Sequence, residues 1–331
     1  VAAVVAAAGA DLAEARTRLE GAGIATALVG LDRWRRPARV SDTPRYRAMQ
    51  RYFDAQGGAG RTMMCNTASL QVNLDLDGPG GLVARWRRAH LIGPVLAAAF
   101  ANSPSAGESP PSFRSQRLAV WAAIDPSRTA PVPTRSPHPA DDWAAYALDA
   151  RLMFVPHGPD RVAVLDGTRF RDWLTAGREG AWPTADDLDE HLTTLFPPVR
   201  PRGWLELRFL DAVPDPWWRV AVAVTTALLD DEEAADVAER ACASVGGRWT
   251  EAARYGLSHP ALAAAARACF DAALPALARA GADAATVAAT ATFADTHVAR
   301  GRTPADDLAA SWRGDGGRAE AAIALPGGAR R

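Results

Sequence analysis

Met63-Met64-Cys65-Asn66-Thr67-Ala68-Ser69-Leu70-Gln71-Val72-Asn73-Leu74-Asp75-Leu76 is the stretch on which the reading of this chain turns. Thr67, Ser69, Gln71, Asn73 and Asp75 share one parity, and Ala68, Leu70, Val72, Leu74 and Leu76 the other. Side chains along a strand point alternately to opposite faces, so the pattern predicts a strand over 63–76 with an apolar face backed by amides, hydroxyls and a carboxylate. Asn and Asp are poor strand formers. A merely wet face more often carries Thr, Lys or Glu, so this one suggests a surface that binds something polar.

A second patterned strand is predicted at Gly203-Trp204-Leu205-Glu206-Leu207-Arg208-Phe209-Leu210-Asp211. Leu205, Leu207 and Phe209 take one face; Glu206 and Arg208 take the other. If the two strands share a sheet, Gln71, Asn73, Glu206 and Arg208 gather over one surface. A carboxylate beside amide oxygens suits Mg²⁺, and an Arg fork suits phosphate. The alternation is also met by a solvated face carrying a Glu–Arg ion pair.

The remaining chain reads as helices and turns. Helices are predicted over 1–23, from Pro44 to about 56, over 81–101 with a break at Gly93-Pro94, over 168–175 and over 185–195. A short strand is predicted over 24–32, and a hairpin flanks Pro156-His157-Gly158-Pro159. Residues 112–125 read as a loop entering a helix or strand. From Trp217 to about Arg300 the pattern is helical and alanine-rich, and the tail after Trp312 is expected to fray. Strands first and helices later favour an α+β fold on an antiparallel sheet.

Composition narrows the chemistry. The 331 residues carry a net charge of −1, so no global field recruits nucleic acid or a membrane surface. All 37 basic residues are Arg, which excludes a catalytic or phosphate-binding lysine and any P-loop. Three scattered cysteines, Cys65, Cys242 and Cys269, indicate neither a disulfide framework nor a zinc cluster, and a reducing cytoplasm is the simplest reading. No window of eighteen uncharged apolar residues is present, so no membrane span is expected. Arg114 and Arg117 read as a clamp for a substrate carboxylate or as a surface pair. His191 has no second His at ligand spacing and reads as a hydrogen-bonded helix residue. Cys65 has no accompanying His and reads as a small half-buried residue.

Several segments, in order along nearly the whole chain, carry a family resemblance: 44–54 (PRYRAMQRYFD), 63–76, 93–104 (GPVLAAAFANSP), 113–129 (FRSQRLAVWAAIDPSRT), 143–155 (WAAYALDARLMFV), 183–211 and 300–308 (RGRTPADDL). The run Thr194-Leu195-Phe196-Pro197-Pro198-Val199-Arg200-Pro201-Arg202-Gly203 joined to a Glu-x-Arg strand is the most specific of these. The chain resembles the plant- and actinobacterial-type glutamate–cysteine ligases, most closely the actinobacterial type associated with ergothioneine biosynthesis.

The resemblance implies a single catalytic domain over 1–331, sheet-bearing over 1–215 and helical over 216–311, with a frayed tail over 312–331. It implies a glutamine-synthetase-like fold whose curved antiparallel sheet floors the site. It implies ATP, Mg²⁺, L-glutamate and L-cysteine as the small-molecule partners, and γ-glutamylcysteine as the product. Carried over residue by residue, Glu206 and Gln71 would be metal ligands and Arg208 would hold ATP phosphate. Arg117 and Arg114 would bind a substrate carboxylate, and Asn73 would contact glutamate or the metal shell. Tyr146 would line the cysteine subsite, while Met64, Thr67 and Arg45 would shape the glutamate pocket.

The family begins with strands carrying acidic metal ligands, and nothing similar precedes Val1. The fold is therefore expected to lack its first strands, and the chain alone to be weakly active or inactive. Two other functions fit the same residues: ligation to another acceptor amine, or a non-catalytic chain that binds glutamate or a complementing partner.

Overall fold

The alternation becomes a strand only over Ser69–Leu74, β1. The residues before it close a helix, Ala59–Asn66. Met63 and Asn66, three apart, both face inward, and the Thr67 hydroxyl donates to the Met63 carbonyl at 2.7 Å. Helical spacing therefore wins over alternation until Thr67, where the backbone becomes extended. The computed structural model describes residues 1–105 and 110–314, and all but the start of the predicted frayed tail lies outside them.

The hairpin appears as β2, Phe154–His157, and β3, Asp160–Ala163. A strand that the sequence reading does not include, β4, Val199–Pro201, pairs antiparallel with β5, Leu205–Asp211. β5 is the centre of a three-stranded antiparallel sheet ordered β1-β5-β4. No strand forms over 24–32, where Leu31 makes an isolated bridge to Thr67. The architecture is α+β, with helices far outweighing strands.

Alternation survives on β1: Val72 is buried while Ser69, Gln71 and Asn73 are exposed. Val72 lies opposite Leu207, and Asn73 opposite Glu206. The register then slips, because Leu70 faces Leu210, so Arg208 and Phe209 together oppose Gln71. This β-bulge flips the phase of the strand beyond it. Asp211 therefore sits opposite Ser69 on the polar side, where strict alternation from Glu206 would have put it among the leucines.

The apolar side of the sheet packs on the helix Gly81–Ala99. That helix runs through Gly93-Pro94 without the expected break. Proline there costs one hydrogen bond, but Ile92, Val95 and Leu96 are fully buried and hold the helix in place. Gly93 gives room to Trp249, whose ring a Cβ would meet at 2.3 Å. Behind lie the helices Trp217–Asp230, Glu232–Cys242, Trp249–Tyr255, Pro260–Arg279 and Ala284–Phe293. Pro260–Arg279 is long and apolar enough to cross a membrane by length and composition, but half of that window is buried in the molecule, as in a core helix.

Two buried imidazoles make stability depend on pH. His191 donates one bond, from Nε2 to the Ala147 carbonyl at 2.9 Å, and His90 one, from Nδ1 to the Trp86 carbonyl at 2.9 Å. Each ring spends one N–H on a carbonyl, and its burial disfavours the charged form. Burial pushes each pKa from 6.5 down to about 4. Between those values the unfolded chain takes up protons that the native state refuses, so stability is complete above about pH 6.5 and is lost as pH falls toward 4. Each His contributes about 3 kcal/mol to that loss. Melting temperature should fall steadily from pH 7 to pH 4.5, and His191→Gln with His90→Gln should flatten the slope. An unchanged slope in the double variant would assign it elsewhere.

Candidate active site

β5 carries the chemistry, because the bulge and the β4–β5 turn deliver charged residues to one side of it. Arg200 on β4 lies opposite Glu206, and its Nε donates to Glu206 Oε2 at 2.6 Å. Arg208 Nη1 reaches the same oxygen at 3.2 Å. Gln71, with its amide oriented by its partners, donates to Glu206 Oε1 at 3.1 Å and accepts from Arg208 Nη1 at 3.1 Å. Asn73 stands exposed beside them, opposite Glu206. The sequence-predicted quartet is thus assembled on one face.

At the other end of β5, Asp211 is 1% exposed and accepts four bonds. The Asn102 amide and the Ser103 hydroxyl bind Oδ2 at 2.8 and 2.7 Å. The Ser115 hydroxyl and Arg117 Nε bind Oδ1 at 2.9 and 2.6 Å. Ser115 also caps the helix Gln116–Ala122 by accepting from the Leu118 amide at 3.2 Å. One carboxylate therefore fixes the helix start and the guanidinium in its first turn. Arg117 also approaches the Arg208 carbonyl at 3.4 Å, so the two Arg residues flank the same stretch of β5.

The electrostatics are lopsided. Burial alone would raise the Glu206 pKa, but the Arg200 hydrogen bond and the charges of Arg208 and Arg200 hold it below the usual carboxylate range. Arg208 is pushed down to about 10, first by burial and then by repulsion from Arg200. Three guanidinium groups share two carboxylates here, and an incoming anion relieves the crowding. Arg117 Nη2 and Arg208 Nε are sealed from solvent with no hydrogen-bond partner.

Arg117 and Arg208 also form one wall of a cavity of about 440 Å³. The rest is mostly apolar, with Trp121, Phe196, Phe113 and Trp249 among its lining. The Arg208 guanidinium carbon lies 5.9 Å from the Trp121 ring centre and 6.0 Å from that of Phe196. Arg208 thus joins the polar sheet face to an aromatic chamber.

Other predicted residues lie elsewhere. Arg114 pairs with Asp306 at 3.1 Å and donates to the Pro111 carbonyl. Arg45 donates to the Thr193 carbonyl at 3.2 Å and covers the Phe154 ring. Met64 packs beside the cluster of Met49, Phe53 and Val120, and the Thr67 hydroxyl is spent on Met63. Tyr146 is buried, stacked on Trp143, with a sealed and unpartnered hydroxyl. None of these lines the cavity.

Glu206 and Gln71 as they stand do not make a magnesium site. Mg²⁺ takes hard oxygen ligands in octahedral array. Here both Glu206 oxygens are occupied by N–H donors, two of them from cations. Among the described residues no three His, Cys, Asp or Glu side chains cluster to hold a metal.

Sequence reasoning missed Arg200, Asp211 and Trp121. A signal for Arg200 existed: Pro201-Arg202-Gly203-Trp204, with Gly203 at φ 81°, is a turn that sets residue 200 against 206. Asp211 depends on the bulge, which has no signature in the residues.

Comparison with known proteins gives consistent matches. The glutamate-cysteine ligase family 2 (GCS2) matches residues 1–322. Glutamate–cysteine ligase EgtA of Mycobacterium tuberculosis (strain H37Rv) is 42% identical over 306 residues, covering 90% of this chain and 69% of that protein. The Mycolicibacterium smegmatis protein of that name is 45% identical over 273 residues, covering 81% of this chain and 64% of its own length. The chloroplastic glutamate–cysteine ligase of Medicago truncatula is 34% identical over 196 residues, 57% of this chain and 38% of the plant protein.

Proposed function

The chain belongs to glutamate-cysteine ligase family 2, and on that premise we propose that it serves the ATP-dependent ligation of L-glutamate to L-cysteine. The γ-phosphoryl group of ATP is transferred to an oxygen of the glutamate side-chain carboxylate, giving ADP and an acyl phosphate. The cysteine amine attacks the acyl carbon, phosphate leaves with that carboxylate oxygen, and the amine loses a proton. The product is γ-glutamylcysteine, a precursor suited to low-molecular-weight thiol synthesis. We read the sheet as the floor of a glutamine-synthetase-like site.

The observation that carries this reading is Arg208: tied to Glu206 and Gln71 on the sheet face, bounding the cavity, with Arg117 alongside. Guanidinium forks match phosphate and carboxylate oxygens, and preorganised donors in a shielded site stabilise charge as it develops. Activation by phosphoryl transfer needs no enzyme nucleophile, and none is required of the residues that line this site. Arg208 and Arg117 hold the anionic groups, and Glu206 orients the Arg208 fork. The polar face of β1, with exposed Gln71 and Asn73, receives glutamate. With both carboxylates there, Glu206 and Asp211, already ion-paired, the described residues bind substrates better than they gather a metal. Turnover by this chain alone should be slow.

The test is isotopic. With ATP, Mg²⁺, cysteine and glutamate carrying ¹⁸O in its side-chain carboxylate, mass spectrometry should find γ-glutamylcysteine and one ¹⁸O in each phosphate released. Unlabelled phosphate, or ADP formation indifferent to glutamate, contradicts the proposal.

A further inference from the structure

The aromatic cavity is unexplained by two of the three substrates. Glutamate and cysteine are small and highly polar, whereas this chamber of about 440 Å³ is walled largely by apolar and aromatic groups. Pro126, Pro131, Pro197 and Pro198 line it and offer no backbone donor. Such a wall accepts a flat, weakly hydrated body, and the Arg117–Arg208 edge accepts an anionic end. Of the three substrates only the nucleotide has both parts.

We propose that this cavity is the nucleotide-base pocket, with Trp121 as its stacking platform and the phosphates running over Arg208 and Arg117 onto the sheet face. This rests on the ligase reading above and names the residues that select a nucleotide. Trp121 suits the role because Phe196 braces its ring edge-on at 5.7 Å, and the Arg208 guanidinium lies against both rings. A rigid ring presented to a chamber is a surface for π-stacking, and the charge above it is where the phosphate chain begins. The neighbouring Ala122 and Ala123 are exposed and keep the mouth clear.

The experiment compares ADP with tripolyphosphate, which has the anion but no base, by equilibrium binding to the full chain without metal. Trp121→Ala should weaken ADP about tenfold and leave tripolyphosphate unchanged. Trp121→Phe keeps a stacking ring and should stay near wild type. Ala122→Phe, at an exposed position on the cavity lining, should block ADP and spare tripolyphosphate. Equal losses for the two ligands, or ADP affinity untouched by Trp121→Ala and Ala122→Phe, would overturn the pocket while leaving the Arg-based ligase reading standing. Arg208→Gln weakening both ligands tests that reading separately.

Discussion

Replacing Asp211 by alanine should cost about 3–5 kcal/mol of folding stability, the largest single loss expected of a side chain at the site. Asp211 is 1% exposed, and its four donors come from two distant parts of the chain: Asn102 with Ser103, and Ser115 with Arg117 at the start of one helix. Arg117 is itself 2% exposed. Losing the carboxylate leaves a buried guanidinium with only a long contact to the Arg208 carbonyl, and leaves two hydroxyls and an amide without their acceptor. Asp211→Asn keeps the shape but offers N–H to groups that are already donors, so it should be only partly milder. Combining Asp211→Ala with Arg117→Met removes the stranded charge and should recover part of the loss. Urea denaturation of the two single variants and the double variant measures this coupling. A loss under about 1 kcal/mol for Asp211→Ala would show that these bonds do not anchor the site.

Arg208→Gln should behave in the opposite way, losing ligand and not stability. Arg208 is mostly buried, its pKa is depressed to about 10 by burial and by Arg200, and its Nε has no partner. Glu206 keeps its tighter partner Arg200 at 2.6 Å when Arg208 is gone. The folded chain therefore sheds a crowded cation, and the melting temperature should hold or rise. Loss of charge-assisted bonds to phosphate costs about 1.5–3 kcal/mol, so ADP should bind roughly 10- to 100-fold more weakly. Arg208→Lys keeps a charge but not the fork and should fall between the two. A clear drop in melting temperature with unchanged ADP affinity would make Arg208 a structural residue.

The sequence showed the polar face well and its surroundings poorly. Gln71, Asn73, Glu206 and Arg208 were legible because period-two alternation is written in single residues, and the pairing of Asn73 with Glu206 follows once two such strands meet. The start of β1 was misread because Met63 to Asn66 satisfy helical and strand spacing equally, and burial of Met63 and Asn66 on one side decides for the helix. Asp211 was hidden by a bulge, a property of how two strands pair. Arg45 and Tyr146 came from family resemblance and Arg114 from its spacing to Arg117, and both kinds of reading fix position along a chain but not the direction a side chain takes. In this structure Arg114 turns to Asp306 and Arg45 to the Thr193 carbonyl. The aromatic cavity draws Trp121, Phe196 and Trp249 from three distant segments, so no local pattern announces it.

The central claim is that Arg208 and Arg117 form the phosphate-holding end of a ligase site that does not depend on metal for its grip. The most direct measurement is calorimetric titration of ATP into the chain, with Mg²⁺ and with a chelator, for wild type and Arg208→Gln. Saturable binding at roughly millimolar affinity or tighter is predicted, persisting in chelator and lost in Arg208→Gln. No saturable heat in wild type, or the same heat in the variant, would contradict the account.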